Sequence, residues 1–598
     1  MHTPFEVVVE NGLFFDGRGS PPAVRQLGVR NGRIAAISET PLPRGPGTRR
    51  IDATGRWVTP GFIDLHTHYD AEVELAPSLS ESVRHGVTSV MMGSCSLSLA
   101  LGTPQDLADQ FCRVEAIPYD TVRSLLETKK DWESLGDYLR HLDALPLGPN
   151  VSSFVGHSAL RTYVLGIDRA LDKRVRPSAA ELGKMETLLC EGLDAGYFGL
   201  SIQTLPWDKM GGTRDIRSRP LPSTFAHWSE YRRLTRVLRE RGRVFQGVPN
   251  ITTKVNVLLF LFESMGLFRK ALKTTVISMM DTRANRGIHK VIGWVSRVFN
   301  RLLGADFRWQ ALPEVFDLWA DGIDLVVFEE FGAGAAALHV QDPEARARLL
   351  RDPAFRARFK QQWKSKFLPK VFHRNFNHSE ILRAPDPSLV GKSFEQIAKE
   401  RGEEAVDVFL DLVARHGDQV RWYTVMANDR PREVERIISH PDILVGFSDA
   451  GAHLRNMAHY NFPLRLLRVV READQRGQPV MSPERAVYRL TGELADWLGL
   501  DAGTLEVGKR ADLVVIDPTR LTERLDVAKE AEMENFGGFV RMVNQNDGAV
   551  AAVLINGREA VRDGAVVPEL GKERGFGRVL RAGVPPAAEE AARERLAG

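Results

Sequence analysis

Cysteine is scarce: Cys95, Cys112 and Cys190 are the only three among 598 residues, and no two form a CxxC pair. So odd and scattered a set excludes a disulfide framework and a cysteine-rich zinc module, and any cysteine that matters must act alone. An excess of one charge is also lacking. Lys plus Arg number 80 against 77 Asp plus Glu, which leaves no electrostatic footprint for nucleic acid and favours a small-molecule substrate. No run of about 18 uncharged apolar residues occurs, so no transmembrane segment is expected. The opening residues, MHTPFEVVVENGLFFDG, lack a basic stretch followed by an apolar one, and we expect a cytoplasmic protein. Internal repeats and low-complexity segments are missing as well.

The length permits several domains or one large barrel with additions. Residues 5–55 alternate short apolar runs with Gly/Asn turns, as in FEVVVENG and LGVRNGRIAAISE, which reads as a small antiparallel sheet. That texture returns only near the other end, in ADLVVIDP (511–518) and AVLINGREAVRDGAVV (552–567), with a hairpin signal at Asn556-Gly557. Residues 1–58 and 498–570 are therefore expected to form one accessory β-sandwich domain. Over 59–497, eight strand-like apolar runs alternate with helical stretches: WVTPGFIDLH, TSVMMGSC, VSSFVGH, GYFGLS, RVFQGV, TTVISM, DLVVFEE and ILVGFSD. Such alternation predicts an α/β fold, a closed (β/α)8 TIM-like barrel with its chemistry at the strand C-termini. Two connections, 96–149 and 331–442, are too long for simple βα units and read as insertions. The stretch KVIGWVSRVFNRLL (290–303) sets basic residues among apolar ones. It reads as a barrel-packing helix, with a membrane-surface or partner helix as the alternative. Residues 571–598 read as a peripheral tail without chemistry.

The sharpest local signal is PGFIDLHTHYD, residues 60–70. Residues i and i+2 of a strand share a side, so His66 and His68 can offer two imidazoles to one metal at a strand end. Asp64 has the same parity and can orient a ligand from deeper in the barrel.

VTPGFIDLHTHYD resembles the first-strand signature of the amidohydrolase superfamily, and LEVGKRADLVVID (505–517) resembles the return of its chain into the accessory β-domain. More narrowly, VMMGSCSLSLA, FVGHSALR, RPLPSTFAHWSE and VGFSDAGAH are similar to segments of the D-aminoacylase branch, the N-acyl-D-amino-acid deacylases. The resemblance implies a metal-dependent hydrolase of a linear carbon–nitrogen amide, with an anionic N-acyl compound as substrate. It also implies that Cys95, at the second strand end, is a metal ligand; a small buried core thiol is the other reading. Asp449, in GFSDAGAH, matches the family's catalytic aspartate, which takes a proton from water and delivers it to the leaving nitrogen. Without that context the same Ser-Asp pair reads as a helix N-cap. His157 and Arg161 in VGHSALR can share a helix face for an anionic substrate, or be buried and structural. His453, four residues after Asp449, stands similarly between pocket and core.

The branch normally supplies further metal-binding histidines at the ends of strands five and six. Here those ends read VFQGVPN and VISMMDTRAN, with Gln246, Asn250, Ser278 and Asp281 nearby and no histidine. Amides are poor zinc ligands, so a reduced site of His66, His68, Cys95 and Asp449 is expected, holding one divalent ion, zinc, per chain. No lysine stands ready to bridge two metals; Glu329 and Glu330 are substitutes or else solvated loop charges. Two rivals remain open: a hydrolase of cyclic amides or lactones on the same barrel, and a non-catalytic ligand-binding barrel with a degraded metal site.

Overall fold

The computed structural model describes residues 5–583 except 252, 367 and 369. It is a mixed α/β protein. Two sheets follow one another around its centre, and all their strands are parallel. In chain order the strands are β1 (Phe62–Asp64), β2 (Val87–Met92), β3 (Asn150–Ser153 and Val155–Gly156, interrupted at Phe154), β4 (Gly199–Gln203), β5 (Val244–Val248), β6 (Lys273–Val276), β7 (Asp306–Gln310) and β8 (Ile443–Leu444). Each pairs with the next. The last returns to the first, because Leu65 N–H donates to Gly446 O at 2.7 Å and His68 N–H to Ala450 O at 2.7 Å. Nearly every residue of β2 to β5 is buried, as expected of parallel strands covered by helices.

One of these strands differs from the sequence expectation. The apolar run DLVVFEE is no strand, since Val326–Glu330 forms a 3-10 turn. The strand is instead Asp306–Gln310, whose Phe307 and Trp309 alternate with Arg308 and Gln310. Its indole Trp309 Nε1 donates to Ser296 Oγ at 2.9 Å, holding one face against the preceding helix.

The expected insertion at 331–442 begins earlier. Strands Phe316–Asp321, Ser379–Arg383 and Arg421–Ala427 make a separate antiparallel sheet, backed by helices such as Pro353–Lys364 and Ala405–His416. This unit has its own core, in which Phe328, Phe359, Trp363, Phe409 and Trp422 are buried together. The cluster is rich in aromatic rings, each of which removes a large apolar area from water.

The two ends of the chain meet in one nine-stranded sheet, whose strands enclose a core of Val9, Leu27, Val29, Leu513, Val515 and Leu554. Strand Val7–Phe14 is irregular between Val9 and Gly12. Its first half pairs with Arg49–Asp52 and its second with Trp57–Pro60, so hydrogen bonding runs on unbroken into Leu513–Ile516. Residues 571–583 are not a peripheral tail. Leu580 N–H donates to Val151 O at 2.7 Å and Ala582 N–H to Gly196 O at 2.9 Å, laying this segment along β3. Gly196 closes helix Ala179–Ala195 with φ 115°, a left-handed conformation that favours glycine, and a Cβ there would meet Arg581 at 2.5 Å. Residues 584–598 of the expected tail lie outside the described residues. No helix among the described residues is long and apolar enough to cross a membrane.

Candidate metal centre

The chain continues past β1 in an extended course between β2 and the segment after β8. Thr67 N–H donates to Met91 O at 3.0 Å on one side, and His68 N–H to Ala450 O on the other. Asp64, His66 and His68 then fall on one side by alternation, and all three are buried. Past β2, Gly93 (φ 71°), Cys95 (φ 52°) and Ser96 (φ 72°) turn the chain through left-handed conformations. That turn carries the Cys95 thiol back to 3.2 Å from His66 Nε2. Past β8, Asp449 (φ 59°) and His453 (φ 46°) are left-handed too. Such conformations are costly outside glycine and cluster where a site dictates the backbone. Gly451 is required here, because a Cβ would lie 2.6 Å from the backbone of His68.

The result is a compact donor set. One ligand atom each from His66, His68 and Cys95 lies within 4.8 Å of the others, a grouping that could hold a metal ion. Asp449 Oδ1 joins it at 3.5 Å from His66 Nε2 and 3.3 Å from His68 Nε2. That oxygen is buried and accepts no proper hydrogen bond among the described residues. An orphaned carboxylate oxygen facing two imidazoles and a thiol fits a bound divalent cation, which would complete each donor at once.

Charge in the site follows from burial. Burial lowers His66 to about 4, so its imidazole is neutral and able to ligate. It also pushes the Cys95 thiol up to about 12, and a cation is the agent that makes such a buried thiol a thiolate. Asp449 is ionised: burial opposes this, but His68 and then His66 hold the carboxyl well below its usual range. Asp64 rises to about 7, chiefly through burial, while accepting Ser448 Oγ–H and, at 3.2 Å, His66 N–H.

Two residues that no motif flagged fix the imidazoles. Gln310, at the end of β7, places Oε1 2.7 Å from His66 Nδ1. Accepting there leaves Nε2 turned to the donor set. Glu115, fully buried within the 96–149 insertion, lies 2.9 Å from His68 Nδ1. Gln246 on β5 also belongs to this wall, taking Cys95 N–H on its Oε1 at 3.2 Å. Asp281, by contrast, turns away to Arg430, Arg286 and Gly287 N–H.

Beside the donor set opens a cavity of about 670 Å³, bordered by Asp208 and His453 and walled by Arg113, Lys209 and Arg217. Of the two readings left open for His453, the structure has it lining this cavity. His157 and Arg161 are not in its wall. Both are buried against Glu230, His157 Nε2 at 3.1 Å, and Arg161 also donates to Ala170 O. A helix starting directly at His157 turns the pair into the core behind β4 rather than toward solvent. Glu329 and Glu330 do not reach the donor set either: Glu329 pairs with Arg113 and His339, and Glu330 with Arg374.

Two models, each described as Amidohydrolase family, match residues 49–201 and 411–560. The first spans His66, His68 and Cys95, and the second Asp449. An uncharacterized protein of Mycobacterium tuberculosis is 49% identical over 97% of this chain and 96% of its own length. The N-acyl-D-glutamate deacylase of Alcaligenes xylosoxydans xylosoxydans is 28% identical over 88% of this chain and 90% of its own. Among solved structures, N-acyl-D-glutamate deacylase from Bordetella bronchiseptica, complexed with zinc and a phosphonate inhibitor, superposes with a TM-score of 0.62 at 23% identity. That match covers 97% of this chain and all of the other, and it is a likeness of fold. With the sequence matches falling on the segments that build the donor set, this chain belongs to the amidohydrolase superfamily, in its D-aminoacylase branch, and is a hydrolase of carbon–nitrogen bonds other than peptide bonds.

Proposed function

We propose that the protein deacylates an N-acyl amino acid of D configuration, a small anionic amide, at the end of the strand ring that carries His66 and His68. The observation that carries this reading is the convergence of two imidazoles, a thiol and an orphaned carboxylate oxygen beside an arginine-walled cavity. The eight parallel strands form, in this reading, a (β/α)8 barrel of the TIM type, whose chemistry lies at the strand C-termini. Residues 59–497 supply it, and 1–58 with 498–570 supply the accessory domain. The protein works in the cytoplasm.

His66, His68, Cys95 and Asp449 would hold one divalent cation, zinc by the preference of a mixed nitrogen, sulfur and oxygen set. When bound, the metal supplies Lewis acidity, making water reactive near neutral pH and polarising the acyl carbonyl. The chain's own residues do the rest. Asp449, ionised and next to both imidazoles, takes the proton from the attacking water on one carboxylate oxygen. It returns that proton to the amide nitrogen as the carbon–nitrogen bond breaks, releasing a free amine and a carboxylic acid that loses its proton to solvent. Gln310 and Glu115 keep the imidazoles aimed. Arg217, whose buried Nε has no hydrogen-bond partner among the described residues, receives the substrate carboxylate from the cavity wall.

The test is hydrolysis of a panel of N-acyl-D- and N-acyl-L-amino acids by zinc-loaded protein, with Asp449→Asn alongside. We expect cleavage of D substrates, and a loss of about 10²–10⁴-fold in Asp449→Asn at unchanged thermal stability. A zinc-loaded protein that cleaves no member of the panel overturns the substrate class. A folded, loaded Asp449→Asn enzyme with full turnover overturns the role of Asp449.

A further inference from the structure

The two helices that follow β5 and β6 turn apolar faces to solvent. Let the helix before β5, Trp228–Arg241, be α1, and the two in question α2 (Lys254–Ser264) and α3 (Ile288–Leu302). On α2, Val255, Leu258 and Phe262 are exposed at a spacing of three and four, which is one helix face. On α3 the exposed apolar residues are Val291, Trp294 (66% exposed) and Leu302 (74%), again on one face. The loop after α2 adds Phe268, 98% exposed. These faces are contiguous. The Phe262 ring meets Phe299 edge-on at 5.4 Å, and Gly266 N–H donates to Leu303 O at 3.1 Å. Single exposed apolar side chains are ordinary, but a continuous apolar face on two adjacent helices marks an interaction surface.

Its rim is cationic. Arg297 and Arg301 flank the apolar stripe of α3, where Lys290 is paired with Glu433 at 2.9 Å, and Arg269 and Lys270 adjoin Phe268. Against Phe262 lies a cavity of about 470 Å³ lined by Arg232, Arg236, Arg239 and Arg269, with Glu263 its one acidic residue. Glu263 is shared between Arg232 at 3.2 Å and Arg239 at 3.6 Å. Arg269 donates to the carbonyl of Phe262. No ion pair is formed by Arg236 among the described residues, so the pocket keeps a positive excess.

We propose that this face docks on an anionic phospholipid bilayer, with Phe268, Trp294 and Leu302 entering the acyl boundary and the arginine pocket taking a lipid phosphate. The pairing of an apolar stripe with flanking Lys and Arg is what a helix lying in a membrane interface requires. A second copy of the chain fits badly, because self-association would set Arg269, Arg297 and Arg301 against their own like charges. Phe268 and Leu302 lie where α2 and α3 lead into the starts of β6 and β7, so docking turns toward the lipid the end of the ring opposite the donor set.

The experiment is co-sedimentation of the full chain with vesicles of phosphatidylcholine and phosphatidylglycerol, compared with phosphatidylcholine alone, at low and high salt. The expected result is partition onto the anionic vesicles that weakens with salt. The double variant Phe268→Glu with Trp294→Glu should reduce that partition by about tenfold or more, and Arg236→Glu should do so separately. These side chains are exposed or line an open pocket, and circular dichroism of each variant checks that it is folded. Wild-type protein that stays in solution with anionic vesicles overturns the proposal. So does equal partition of wild type and the double variant, or a wild-type dimer in sedimentation velocity that the same substitutions dissociate while vesicles capture neither.

Discussion

Two arcs of the strand ring do opposite things. β1, β2 and β8 end in side chains that converge: His66, His68, Cys95 and Asp449, three of the four deeply buried and two of them, Cys95 and Asp449, in left-handed conformations. β5 and β6 end in Gln246 and in a segment whose Asp281 leaves for an arginine cluster, and their helices face outward with apolar side chains. The first arc concentrates side chains that could hold a cation. The second holds the first in place and presents a surface. A ring of like strands therefore need not be chemically symmetrical, since each strand end is free to be ligand, buttress or platform while the backbone pairing stays the same.

The comparison can be broken most directly in the first arc. His66→Ala combined with His68→Ala should abolish bound zinc and reduce turnover to background, as read by metal analysis of the purified protein. Full metal content in that variant would show that the donors lie elsewhere and dissolve the contrast. A smaller effect sharpens the buttressing claim: Gln310→Ala should weaken zinc affinity by about 10–100-fold in competition with a chromogenic chelator. Unchanged affinity there would mean that His66 needs no help from β7.

The smallest effect belongs to the second arc. Asp281→Asn should leave metal content untouched and cost about 1–3 kcal/mol of stability, because it strips the buried partner from Arg430 and Arg286. Burial would raise this carboxyl, but Arg430 and Gly287 N–H hold it below its usual value. Its contribution is therefore present above the unfolded value of about 3.9 and is lost as the pH falls below it. Thermal unfolding of both proteins at neutral pH and near pH 3 should show the gap closing. A gap that persists in acid, or a loss of metal in the variant, would contradict the assignment of Asp281 to structure.

Much of the first arc was legible in the sequence because its signals are local. HTH at a strand end needs only alternation to bring two imidazoles together, and Cys95 and Asp449 sit in segments with a recognisable family pattern. Glu115 and Gln310 gave no such sign. Glu115 reaches His68 from within an insertion, a contact between residues 47 apart in sequence that no periodicity encodes. Gln310 was hidden with its strand, since Arg308 breaks the apolar run that marks a buried strand while DLVVFEE, which looks like one, packs its Val327 and Phe328 into the aromatic core of the inserted unit. For His157 and Arg161 the sequence left a substrate-facing pair and a buried structural pair open, and the structure has them buried against Glu230. Helical spacing says that two residues share a face and leaves open which way the face turns.

The pairing of Trp57–Pro60 with Leu513–Ile516 in the nine-stranded sheet has a consequence for how the protein is made. Synthesis runs from one end, so the strand that leads directly into the HTH segment emerges more than 400 residues before its partner. Until then it shows an unpaired edge, the kind of template on which nascent chains associate wrongly. The contact is also among the most distant along the chain, and contacts of that kind form late and slowly. The ribosome thus releases a molecule whose middle can be packed while its two ends are still looking for each other, and its yield in a cell depends on how well that interval is covered.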